Sequence, residues 1–264
     1  MRQCSTNRGW IVLRRRCWKL FINDESRNGS VKVDELADLF RVSVMTVRRD
    51  LEKMEQENRL VRCHGGAIQK SSVLFDIDRE KRSQTEMDAK LRIASYCVKQ
   101  YIHDNMVLYL DAGSTVLEIA KQLDGFEGLT VVTNDVLIAC ALLNSPVSVL
   151  MIGGQMQNRL GCVHGDTARR QLEGYRMDTS FVSSLCVDNE YDVYAATENK
   201  VTFRRKLLEC SRHTYMLLDQ GKIGHQSLYK INHLSDYAAV VTDKVLSEEE
   251  SVRAGSMGIE WITV

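Results

Sequence analysis

Much is missing from this chain of 264 residues, and each absence removes a class of protein. No run of about 18 apolar residues is present, so nothing reads as a bilayer-spanning helix and no membrane partner is expected. The one short apolar stretch near the start, Trp10 to Leu13, is broken at once by Arg14, Arg15 and Arg16. It has no small-residue cleavage site, which argues against secretion. The eight cysteines are scattered without a CxxC pair, giving neither a disulfide framework nor a zinc site and fitting free thiols in a reducing cytoplasm. The six histidines form no HExxH or paired Cys/His pattern, so neither metal nor other cofactor is expected. Net charge is also absent, with 35 basic against 35 acidic residues. Fixed-period repeats and low-complexity blocks are lacking as well. The single proline, Pro146, lies between two apolar segments, where it reads as preceding a strand.

The zero net charge hides an asymmetry. Residues 1–70 hold 15 Lys plus Arg against 9 Asp plus Glu, and the rest hold 20 against 26. Only the first quarter therefore carries a charge suited to phosphodiester backbones. The length suits two domains, one small and one of ordinary size. The polar, aperiodic stretch from Ile68 to Glu86 reads as the linker. The expected division is a DNA-binding domain over 1–67, a linker over 68–86 and a second domain over 87–264.

Periodicity predicts a first helix over Ile11–Phe21, broken by Asp24 to Ser30. A second helix is expected over Val33–Phe40, with Leu36, Leu39 and Phe40 at helical spacing. Arg41-Val42 forms a short turn, and Ser43 is placed to cap the next helix, from Val44 to about Glu57. Two short helices joined by a tight turn make a helix-turn-helix. At 100° per residue, Val44, Val47, Leu51 and Met54 share the core side of the second of these helices, and Arg49 lies opposite them. Met45, Thr46 and Arg49 are then offered to base edges, and Arg48 and Lys53 to phosphates. Arginine suits the first task because its planar fork can hold guanine O6 and N7 together. Leu60 to Cys63 alternates and His64-Gly65-Gly66 reads as a turn, a small β-wing from which Arg62 and His64 would reach phosphate.

The run VDELADLFRVSVMTVRRDLEKMEQENRLVRCHGGA resembles the signature of the DeoR-type regulators, the deoxyribose-operon repressor family. The resemblance implies a winged helix-turn-helix joined to a Rossmann-like sensor domain similar to ribose-phosphate isomerase. It further implies double-stranded operator DNA and a phosphorylated sugar as partners, a homo-oligomer, and control of carbohydrate genes.

The second domain is legible without the name. Short apolar runs alternate with helical patterns: VLYL then VLEIAKQL, LTVV then DVLIACALL, VSVLMI, and on through TYMLL and YAAVV. Such alternation implies a mostly parallel sheet with helices on its faces and ligands at the carboxyl ends of its strands. Three predicted strand ends are polar or flexible: Asp111 with Gly113, Ser114 and Thr115; Thr133 with Asn134; and Gly153 with Gly154. Together they suggest a pocket for phosphate and hydroxyl groups. By resemblance, Asp111 to Thr115 matches the family's D-x-G-S-T stretch, Asp219 to Lys222 its D-x-S-K motif, and Arg204 a position usually basic. Two departures stand out. Gly221 replaces a serine, and Cys186 stands where a glycine is expected, where a Cβ would restrict both backbone and ligand. A sugar-phosphate isomerase using the same pocket, or a regulator with a degenerate sensor, are the alternatives. The enzyme would need a positioned general base, and no acid/base pair is evident.

Overall fold

The computed structural model describes residues 30–56, 60–63, 66–69, 86–158 and 160–264. The first helix expected over Ile11–Phe21, His64 of the wing and most of the linker lie outside them. The chain divides into two units, 1–75 and 76–264.

In the first unit, β1 (Ser30–Lys32) leads into α1 (Val33–Phe40) and α2 (Val44–Gln56), followed by β2 (Leu60–Cys63) and β3 (Gly66–Gln69). The strands form an antiparallel sheet in the order β1-β3-β2, so the expected wing exists as a hairpin. Its second strand runs through Ile68 and Gln69, two residues into the expected linker. Burial of Val33, Leu36 and Ala37 of α1 against Val47, Leu51 and Met54 of α2 joins the helices, with Phe40 and Val42 packed alongside. Val44 and Leu39, read from periodicity as inward, are 36% and 53% exposed. Each sits beside the interhelix turn, where the stripe facing the partner helix has run out.

That turn is closed by the backbone. The Arg41 amide donates to the Asp38 carbonyl (3.2 Å) and the Val42 amide to the Ala37 carbonyl (3.0 Å). This paired pattern ends a helix through one left-handed residue. Here that residue is Arg41, at φ 53°.

The second unit opens with α3 (Met87–Tyr101) and then alternates: β4 (Val107–Leu110), α4 (Ser114–Ala120), β5 (Thr130–Thr133), α5 (Val136–Ala141) and β6 (Ser148–Met151). A hairpin, β7 (Gln155–Gln157) and β8 (Cys162–His164), interrupts before α6 (Asp166–Glu173). There follow β9 (Met177–Ser183), β10 (Cys186–Val187), β11 (Asp192–Ala195), α7 (Glu198–Cys210) and β12 (Ser211–Leu218). The chain ends with β13 (Tyr229–His233), β14 (Ala239–Thr242), α8 (Glu248–Ser256) and β15 (Trp261–Thr263).

Seven strands form one parallel sheet in the order β15-β14-β12-β9-β4-β5-β6. Both faces are covered, which is why its strands read as nearly continuous apolar runs. Leu108 and Leu110 face a core with Ile93, Ile119 and Ile138 of α3, α4 and α5. Tyr109, between them, faces Leu172 of α6 and Phe203 and Leu207 of α7. From β4 the chain winds outward through β5 to β6, then returns to lay β9 on the other side of β4. The order reverses between β4 and β9, and in open α/β sheets that switch point is where a crevice opens at the strand ends.

Candidate functional site

In the first unit, the α2 cap forms as the sequence indicates: the Thr46 amide donates to Ser43 Oγ (3.1 Å), and the two hydroxyls are 2.8 Å apart. Ser43 and Thr46 thus hold each other as well as the helix start. Met45 is 71% exposed, and Arg48, Arg49 and Lys53 lie on the same open side, away from buried Val47, Leu51 and Met54. Arg62 belongs to β2 of the wing, and His64 falls outside the described residues.

In the second unit, the switch point gathers charge. Asp111 follows β4, Ser183 ends β9, and Asp219 and Lys222 follow β12, while α7 carries Arg204 beneath them. The Arg204 guanidinium, 7% exposed, donates to the Asp111 carboxylate and to the Ser183 carbonyl (2.9 Å). Burial, the largest single influence, pulls its pKa down, but the Asp111 carboxylate together with the Tyr237 and Tyr109 side chains outweighs it and the group ends above its ordinary value. The Lys222 ammonium donates to Ser183 Oγ (2.6 Å) and pairs with Asp219 at 3.6 Å. Gly113 lies against the same serine: a Cβ there would stand 3.3 Å from Ser183 Cβ, so only glycine leaves this approach unforced.

Five of the expected residues, Asp111, Gly113, Arg204, Asp219 and Lys222, thereby converge. Ser183, which the sequence reading passed over, ties them together; its signal was a serine at a strand end beside the reversal of strand order. Ser114 opens α4, half-buried, and Thr115 is fully buried with a hydroxyl that has no hydrogen-bond partner.

The remaining expected residues lie against neighbouring strands and α6. Thr133 Oγ1 donates to the Leu110 carbonyl (2.7 Å) and accepts from the Asp135 amide (3.1 Å), locking β5 to β4. Asn134 Nδ2 donates to the Val163 carbonyl (3.0 Å), though its Oδ1 is buried without a partner. The Gly153 amide donates to Gln171 Oε1 (2.8 Å). Gly154, at φ 148°, opens the β7–β8 hairpin, where a Cβ would press on Val163 and the His164 carbonyl. Gly153 is thus tied to α6, and Gly154 leads into the hairpin.

Cys186 is a correction. It lies in extended β10, paired with Tyr194, outside the positive-φ region that would demand glycine. Burial first, and Asp188 second, push its thiol up to about 12, against an opposing pull from Lys222, so it stays a neutral thiol. An open concavity of about 760 Å³ along α8, lined by Ser247, Glu248, Glu249, Val252, Arg253 and Ser256, shares no residue with the switch-point cluster. Among the described residues no group of His, Cys, Asp and Glu is arranged to hold a metal, and no helix is long and apolar enough to cross a membrane.

A helix-turn-helix head with a β-wing, followed by a doubly wound α/β domain whose strand ends gather Lys, Arg, Ser and Asp, is the build of a DNA-binding regulator with a ligand-binding domain. Residues 26–73 match the DeoR-like helix-turn-helix domain and residues 85–244 the DeoR C-terminal sensor domain. The chain belongs to the DeoR family of transcriptional regulators. It is 33% identical over 226 residues to the HTH-type transcriptional regulator YulB of Bacillus subtilis (85% of this chain, 86% of YulB). It is 28% identical over 218 residues to the glycerol-3-phosphate regulon repressor of Escherichia coli (82% and 86%). Among solved structures it is similar to a D-ribose-5-phosphate isomerase in complex with phospho-erythronic acid, at 15% identity, 52% and 54% coverage and a TM-score of 0.39.

Proposed function

We propose that this chain is a cytoplasmic repressor of carbohydrate-metabolism genes that binds operator DNA through its head and releases it when its sensor domain takes up a phosphorylated sugar. The division proposed is DNA binding over 1–67, a linker over 68–86, and sensing with self-association over 87–264. The observation that carries the reading is the switch-point cluster. Lys222 offers a point charge at the strand ends, beside an Asp111 carboxylate that Arg204 already neutralises. A phosphate has one strong partner there, and sugar hydroxyls meet Ser183, Ser114 and the carboxylates. Asp111, Gly113, Ser114, Thr115, Arg204, Asp219 and Lys222 form the effector site in this proposal, with Thr133, Asn134, Gly153 and Gly154 shaping its wall. The similarity to a glycerol-3-phosphate regulon repressor supports a small phosphorylated ligand.

Base edges would be read by Met45, Thr46 and Arg49. Arg48, Lys53, Arg62, His64 and the helix start at Ser43 would hold phosphates. An effector that favours one conformation lowers DNA affinity by its differential affinity and no more. No catalytic step is proposed, in keeping with relatives that are transcriptional regulators.

Fluorescence anisotropy on the DNA upstream of the chain's own gene, at fixed salt, tests the reading. Specific binding that a pool of sugar phosphates relieves, and that Arg49→Ala weakens by roughly 1–3 kcal/mol, is the expected result. Binding indifferent to every sugar phosphate removes the effector assignment, and an unchanged Arg49→Ala variant removes the recognition-helix assignment.

A further inference from the structure

One edge of the sensor domain exposes a group of apolar side chains. The segment VLIACALL, forming α5 and the two residues after it, is apolar at every position. Only Ile138 and Leu142 are buried; Leu137 is 44% exposed, Leu143 76%, and Cys140 is also exposed. A helix apolar all round is normally buried all round. Beside it runs β6, the terminal strand of the sheet, with Leu150 41% and Met151 39% exposed. Val149 packs on the core under α5, whereas Leu150, in register with Val132, faces the opposite layer, so apolar surface wraps around the edge. Met156 of β7 extends it at 51%.

Edge strands are ordinarily guarded by charge. Here the 23 residues from Val136 to Asn158 contain no Asp, Glu, Lys, Arg or His, in a chain that is 27% charged. The opposite edge, β15, is flanked by Glu260 and held by Arg92, which donates to the Val264 carbonyl (2.7 Å).

We propose that α5, β6 and β7 form the surface on which a second copy of this chain docks, edge against the same edge about a two-fold axis. An uncharged face finds its electrostatic complement in another uncharged face, and depletion of charge marks the core of homodimer interfaces. Antiparallel pairing of two identical edges is two-fold symmetric by construction. The regulator reading adds the need for two heads, since two-fold operators match dimeric readers. The inference rests on that reading for the identity of the occupant alone, and it is tested without DNA or sugar phosphate.

Sedimentation of the full chain supplies the test. The parent is expected at a multiple of 30.1 kDa. Leu143→Glu and Leu150→Glu, each at a position exposed in the single chain, are expected to raise the dissociation constant at least about tenfold, because a carboxylate buried without a partner opposes docking. Val252→Glu, on the charged face of α8, is expected to leave the parent's value unchanged. A parent monomeric at every concentration, α5 and β6 variants that keep the parent's mass, or dissociation by Val252→Glu to the same degree would each overturn the proposal. Should either glutamate variant misfold, alkylation of Cys140 in the parent gives a second reading. Its rate falls as protein concentration rises if the edge is covered, and a rate independent of concentration overturns the proposal.

Discussion

Asp188 sits beside Cys186 at the turn from β10 to β11 and accepts four hydrogen bonds. They come from the Gln226 side chain (2.8 Å), the Asp192 amide (2.9 Å), the Tyr194 hydroxyl (2.9 Å) and the Glu190 amide (3.0 Å). Burial pushes this carboxyl up, but those donors outweigh burial and the group ends below the usual carboxylate range. A depressed folded-state value means the stabilisation is complete above the ordinary aspartate value near ~3.9 and is lost as pH falls through the depressed one. The parent is therefore expected to lose more stability than Asp188→Asn between neutral and strongly acid pH, with urea midpoints as the measurement. Equal losses in the two proteins would show that Asp188 titrates normally. At the same scale, replacing either member of the Asp111–Arg204 pair alone is expected to destabilise the fold, since the one left behind is a buried charge that has lost its ion-pair partner.

Among elements, the α1–α2 turn carries a local cost that substitution can remove. Arg41 occupies a left-handed conformation that penalises any residue with a Cβ by about 1–2 kcal/mol. Glycine relieves this at some expense in unfolded-state entropy, so Arg41→Gly is expected to stabilise the helix pair by about 1 kcal/mol or less. Slower hydrogen exchange of the α1 and α2 amides would register it, and faster exchange would show that the Arg41 side chain matters more than its backbone. Elements of this kind were well marked in the sequence. The Ser43 cap, the wing strand Leu60–Cys63 and the parallel strands announced themselves through capping chemistry and apolar runs, which depend on neighbours only a few residues away. The β7–β8 hairpin and the small antiparallel sheet β10-β11-β13 did not, because their strands are two to five residues long and find partners up to about forty positions off. The same distance hid Ser183. Arg204 and Lys222 could each be read as a basic residue, but that both reach one serine at the end of β9 depends on β9 returning to lie beside β4.

For the molecule as a whole, the regulatory reading makes a separable demand on its two units. Lys222 faces Ser183 and Asp219 in the sensor and belongs to no element of the head. Lys222→Ala is expected to raise the sugar-phosphate concentration needed for half-release of DNA by roughly ten- to a hundredfold, the worth of one charge-assisted hydrogen bond. DNA affinity without effector should stay at the parent's value. Anisotropy with and without effector measures both quantities in one titration series, and a change in effector-free affinity would place Lys222 in the coupling rather than in the pocket.

The winding of the large sheet also sets an order of events in time. Its central pairing sets Tyr109 against Ser180 and Leu110 against Phe181, about seventy positions apart along the chain, while the antiparallel contacts of the wing close within a few residues. Pairings between distant segments form slowly, and a chain leaving the ribosome from its N-terminus completes local ones first. The crevice cannot assemble until Lys222 has been made, long after the residues of the helix-turn-helix. For that interval each new chain carries the part that would hold DNA without the part that would let it go.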